Sequence, residues 1–187
     1  MSILPRPFPD AFTRHVFALC RLRGDPQDTV YSRPLLVVLL LATFALDALG
    51  GALLGDVADA LAHSLLASAV VLGLCAVALA LRGLLNRYVQ TATSLLATGI
   101  VVSLVQLPIL GLLGSLVDGA TLSSADMAWN LLQILLRWAG LATLVWQVLV
   151  YAHVVRHAMD SGFGFALVLV VTWFVANWAL ASVLLGG

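Results

Sequence analysis

Lysine and glutamate are missing altogether from this chain of 187 residues; all nine basic residues are Arg and all nine acidic residues are Asp, for a net charge of zero. Charged residues make up only 10% of the sequence, well below the roughly 25% of a soluble domain, and none of the Arg residues cluster. Nucleic-acid binding is therefore excluded as a function class. Cysteine is scarce too. Cys20 and Cys75 lie in different segments and form no CxxC pair, so no redox motif or cysteine metal centre is expected. No HExxH, GxSxG, Walker lysine or paired-carboxylate constellation occurs, and enzymatic chemistry is not expected.

What the chain has in excess is apolar sequence. Hydrophobic residues reach 62%, which places it in the polytopic membrane class rather than the globular one. Five apolar runs stand at roughly 34–54, 61–81, 95–117, 128–152 and 164–185, each near the ~20 residues that a bilayer core requires. The first is too long for a signal-peptide core and has a polar stretch before it, so it counts as a span. Pro108 in the third should kink that helix and free a carbonyl near Leu104. No repeat or soluble domain is visible. The expected fold is an all-α membrane protein: a five-transmembrane-helix bundle over 34–187, preceded by a cytoplasmic segment over 1–33.

That segment holds a further helical pattern. From Asp10 to Arg23, Phe12, Val16, Leu19 and Cys20 share one face, with Arg14, His15 and Arg21 largely elsewhere. Such a pattern suits an amphipathic helix lying in the membrane interface, and equally a surface helix packed on the bundle. Gly24-Asp25-Pro26 ends it, and Pro34 opens the first span at a favoured first-turn position.

Arginine placement sets the orientation. Arg6, Arg14, Arg21, Arg23 and Arg33 precede the first span, Arg82 and Arg87 follow the second, and Arg156 follows the fourth. The loops after the first and third spans hold only Asp56, Asp59, Asp118 and Asp126. By the positive-inside rule the N-terminus is cytoplasmic and the C-terminus lies across the membrane, as in a multi-pass protein of a bacterial inner membrane.

Two charges fall inside spans. At 1.5 Å per residue, Asp47, Gln106, Arg137 and Asn177 all lie roughly 12–16 Å below the outer boundary. Asn130, Gln133 and Arg137 also share a face of the fourth span. Lipid satisfies none of these groups, so an inward-facing polar layer in which Asp47 pairs with Arg137 is expected. The layer reads as a lock fixing helix register, in line with ordinary interhelical polar contacts, or as a solute, ion or proton site. Small residues at Gly51/Gly55 and Ala69/Gly73 have the spacing of close helix packing.

His153 and His157 are one turn apart near Arg156, with Asp160 the nearest carboxylate in sequence. That spacing can bind a metal, but head-group contacts at the interface explain it as well. A haem would need axial histidines at similar depth on facing helices, and His63 belongs to the opposite side. No metal or other cofactor is expected. The five Trp residues lie in the last two spans; Trp129 suits an interfacial belt, and the deeper ones suit packing.

A short amphipathic segment before five spans, a polar entry Arg87-Tyr88-Val89-Gln90 leading to Leu107-Pro108, and the stretch Trp146-Gln147-Val148-Leu149-Val150-Tyr151 closing the penultimate span together resemble the Yip family of small membrane proteins. Asp47-Ala48-Leu49-Gly50-Gly51 is similar to part of that family's first-span signature. The resemblance covers roughly 10–185 and implies a non-enzymatic scaffold or membrane-organisation factor whose partners are the lipid bilayer and other membrane proteins. A small transporter or channel using the polar layer is the first alternative, and a haem-binding electron-transfer subunit the second.

Overall fold

The computed structural model describes residues 8–119 and 127–185. They form six α-helices and two short 3-10 turns, with no strand among the described residues. Helix α1 spans Phe8–Cys20, α2 Arg33–Leu54, α3 Val57–Leu81, α4 Tyr88–Gly119, α5 Met127–Ala158 and α6 Phe163–Leu184. Helices α2 to α6 are long and apolar enough to cross a membrane. The protein is an all-α, multi-pass membrane protein.

Local chemistry fixes the helix ends. The Ser32 hydroxyl accepts from the Leu35 amide at 3.3 Å to cap α2, with Pro34 in its first turn. Gly55 closes α2 at φ 88°, and the Asp56 carboxylate then accepts from the Asp59 amide at 2.9 Å to start α3. This cap explains why α3 begins four residues before its apolar run. Helix α4 continues unbroken through Pro108.

The five long helices close into a ring. Helix α2 packs on α3, α3 on α6, α6 on α5, α5 on α4, and α4 back on α2. Toward one end the ring is filled by Leu79 of α3, Leu95 of α4, Val155 of α5 and Trp173 of α6. In a bilayer such packing is held by dispersion and shape, because lipid tails are as apolar as the side chains.

The N-terminal segment covers that filled end. Helix α1 and the 3-10 turn Pro26–Asp28 rest on α4 and α5. Val16 and Cys20 are buried against Ala97, with Phe12, Leu39, Val101 and Trp146 around them, while Leu19 enters the main core. Thus the interfacial placement gives way to the packed one: the face of Val16 and Leu19 turns to protein instead of lipid. The physical reason is polar as well as apolar. Trp146 Nε1 donates to the Cys20 carbonyl at 2.9 Å, Gln90 Nε2 donates to the carbonyls of Gln27 at 2.8 Å and Thr29 at 3.1 Å, and the buried Thr29 and Ser94 hydroxyls pair at 2.8 Å. Beside them Arg87 Nη1 meets the Asp160 carboxylate at 2.7 Å.

Burial pushes the Cys20 thiol up to about 11 from 9.0. At pH 8 it then carries roughly a hundredfold less thiolate than an unshifted cysteine. Iodoacetamide should label Cys20 slowly in the folded protein and quickly once Leu19→Asp detaches α1, as read by mass spectrometry. Fast labelling without that substitution would contradict the packing.

Candidate functional site

The ring is not filled along its whole length. At the level of Asp47 it leaves a part-open cavity of about 230 Å³, lined by apolar and polar side chains from all five long helices. Thr43 and Asp47 come from α2, Ser64 and Ser68 from α3, Ser103 and Gln106 from α4, Gln147 and Tyr151 from α5, Trp173 and Asn177 from α6. Within each helix these pairs are three or four residues apart, the spacing that stacks side chains on one face. A second compartment of about 480 Å³ shares Asp47, Ser64, Ser103, Gln106 and Asn177 with the first and ends among Asp56, Asp59 and His63 at the α2–α3 turn. Asp56 and Asp59 are exposed. The cavity thus reaches solvent at the acidic end and stops against the Leu79–Trp173 core at the other.

Asp47 is the only carboxylate among the described residues that lines the inner compartment. Ser64, 5% exposed, donates its hydroxyl proton to Asp47 Oδ2 at 2.5 Å, which orients the carboxylate and leaves Oδ1 toward other partners. Asn177 Oδ1 is buried and accepts no hydrogen bond among the described residues. Such groups are costly to leave unpaired in an apolar medium. Gln147 Nε2 donates to Tyr151 Oη at 3.4 Å, and the Tyr151 ring stands 6.2 Å from that of Phe174. Gly99 admits this tyrosine: a Cβ there would lie 2.7 Å from Tyr151 Oη.

The expected polar layer is therefore only partly assembled. Asp47, Gln106 and Asn177 share the cavity, but Arg137 does not enter it and forms no ion pair with Asp47; the ion pairs among the described residues are His63–Asp59 and Arg87–Asp160. Arg137 is exposed on α5 amid the exposed Ile134, Leu135, Trp138 and Leu141. Gln133 is half-buried on the same helix and lines neither compartment, and the side chain of Asn130 lies outside the described residues. The reason is helix order: α4 and α6 stand between α5 and the α2–α3 pair. Equal depth sets height along the membrane normal, not position around the ring. Consequently Asp47→Asn and Arg137→Gln should change thermal stability additively, within about 0.5 kcal/mol. A double mutant recovering most of the single losses would restore the pair.

The histidines are engaged elsewhere. His153 Nε2 donates to the Gly24 carbonyl at 3.1 Å, tying the N-terminal segment to α5, while His157 Nδ1 donates to the His153 carbonyl at 2.8 Å within α5. Their rings are 4.4 Å apart. His15 Nε2 meets the Thr29 hydroxyl at 3.0 Å, and His63 sits beside Asp59 at the opposite end. No cluster of three metal-ligating side chains occurs among the described residues.

Ser64, Ser68, Ser103, Thr43, Gln147 and Tyr151 were not singled out by charge or depth. Their signal is the one-turn pairing of weakly polar residues within otherwise apolar runs. No family model, curated protein or solved structure matches the chain.

Proposed function

We propose that this is a non-enzymatic membrane protein that binds a small polar solute inside the bundle, as a small transporter or channel of a bacterial inner membrane does. One observation carries the reading: a cavity that holds one carboxylate among the described residues opens toward the α2–α3 turn and stops against the packed core at the other end. Arginine placement supports a cytoplasmic position for the packed end, with the cavity facing outward. A structural lock would bring its polar groups into direct contact; here Gln106 and Asn177 share the cavity with Asp47 but form no hydrogen bond with it among the described residues.

The test uses purified protein in lipid nanodiscs, screened for thermal stabilisation by small amines, amino acids, polyols and carboxylates. A solute at a hundred times its dissociation constant should stabilise the fold by about 2.7 kcal/mol. Ser103→Phe, which fills the cavity, should remove that effect. Stabilisation that survives Ser103→Phe, or no stabilisation by any of these solutes, overturns the reading.

A second reading, as a scaffold for other membrane proteins, is the one to which the Yip resemblance points. Its support is the exposed stretch of α5 from Leu131 to Val145, where Trp138 and Arg137 stand on an apolar surface. Trp138→Ala should weaken a protein partnership while leaving solute stabilisation intact.

A further inference from the structure

We propose that the cavity takes a small organic ammonium ion; this names the solute class for the site proposed above and rests on that reading. Charge is the first argument. Among the described residues Asp47 is the sole charged group of the inner compartment, and the route to it passes Asp56 and Asp59, the latter beside His63, so the field along the path favours cations over anions. A carboxylate solute would meet Asp47 with no cation to offset it.

Hydrogen-bond chemistry is the second. Ser64 spends its proton on Asp47 Oδ2, and Asp47 has no other side-chain donor among the described residues. What the site lacks is N–H or O–H groups supplied by a ligand, which an ammonium ion provides. Size and surroundings suit an organic cation better than a calcium ion. Calcium needs six to eight oxygens held together at about 2.3–2.6 Å, whereas the carboxylate, hydroxyl and amide oxygens here are spread around a space of about 230 Å³ that Tyr151, Trp173 and Phe174 also line. Aromatic faces favour an organic cation, whose charge they stabilise and whose carbon they cover. The volume of about 230 Å³ lies below the 300–1,000 Å³ of drug-sized sites, which limits the guest to about one ring and its amine.

The experiment compares benzylammonium, benzyl alcohol and benzoate, three probes of similar shape that differ in charge. In full-length protein carrying Gln106→Cys in nanodiscs, a small water-soluble thiol reagent added at the acidic end should modify the introduced thiol. Cys20 and Cys75, both buried, supply the unreacted background. Benzylammonium should slow that modification at least about tenfold at a concentration where benzoate and benzyl alcohol do not, and Asp47→Asn should abolish the protection. Thermal stabilisation of the unsubstituted protein by benzylammonium alone repeats the test without a cavity substitution. Protection by benzyl alcohol or benzoate equal to that by benzylammonium, or no effect of benzylammonium in either assay, overturns the cation assignment while the cavity reading stands. An introduced thiol that no aqueous reagent reaches overturns the cavity reading and the assignment with it.

Discussion

Trp173→Ala should be the most destabilising truncation in the bundle, costing about 3–5 kcal/mol in a detergent or nanodisc unfolding assay. Trp173 is 2% exposed and lies where the ring changes from packed core to cavity: it joins the Leu79, Leu95 and Val155 cluster on one side and lines the polar space on the other. Because lipid solvates a freed indole well, the loss comes less from transfer than from vanished dispersion contacts and the void left behind. The void would also join the cavity and loosen the seal. Trp173→Phe keeps much of the contact surface and should cost less than half as much. Equal losses for the two variants would mean that the indole is not packed as described.

The second large effect is expected at Gly51. A Cβ added there would stand 2.5 Å from the Ala60 Cβ, 2.7 Å from the Asp56 carbonyl oxygen and 3.1 Å from the Val57 Cα. Two of these three neighbours are backbone, so no rotamer change relieves them; α2 and α3 must separate at their turn. Gly51→Val should therefore cost about 3 kcal/mol or more, at or beyond the upper end of ordinary overpacking. The same separation moves Asp47 away from Ser64 one turn below. Gly73 is the control. It also stands in a small-residue pair, but a Cβ there meets nothing within 4 Å, and Gly73→Ala should be neutral or slightly stabilising through helix propensity. Gly51→Val melting like the unsubstituted protein would refute the close α2–α3 approach.

The contrast between these two glycines shows what the sequence conveys. Both satisfy a small-xxx-small pattern, yet only Gly51 faces a neighbouring helix, because the pattern does not state which way a residue points. The five spans and α1 were legible, since an apolar run of bilayer length has few alternatives to a helix. Depth was legible in part: Asp47, Gln106 and Asn177 line one cavity. Azimuth was not. Arg137 shares their height but belongs to a helix held away from α2 and α3 by α4 and α6, an order set by packing of the whole ring. Helix α1 repeats the lesson, for its apolar face shows that Val16 and Leu19 need cover and leaves open whether lipid or protein supplies it. The hydroxyls escaped notice for a different reason. A serine or threonine inside a span can satisfy itself on a carbonyl of the preceding turn, as Thr43 does with Leu39 at 3.0 Å. Only their stacking with a second polar residue, helix after helix, marks a cavity wall.

The same pairing frames the choice between a bound solute and a plain interhelical lock. If Asp47 served only to fix register, water would have no reason to reach it, and α4 would be dry on every face within the membrane. Collision of nitroxide labels with reagents of opposite solubility tests this directly. Labels are placed singly at Ser103, Leu104, Val105 and Gln106 of α4; Ser103 and Gln106 line the cavity, while Leu104 and Val105 are exposed on the bundle surface. In nanodiscs, a water-soluble nickel chelate should relax the labels at Ser103 and Gln106, and dissolved oxygen should dominate at Leu104 and Val105. Oxygen dominating at all four positions would show a dry ring and contradict a solvent-connected binding cavity.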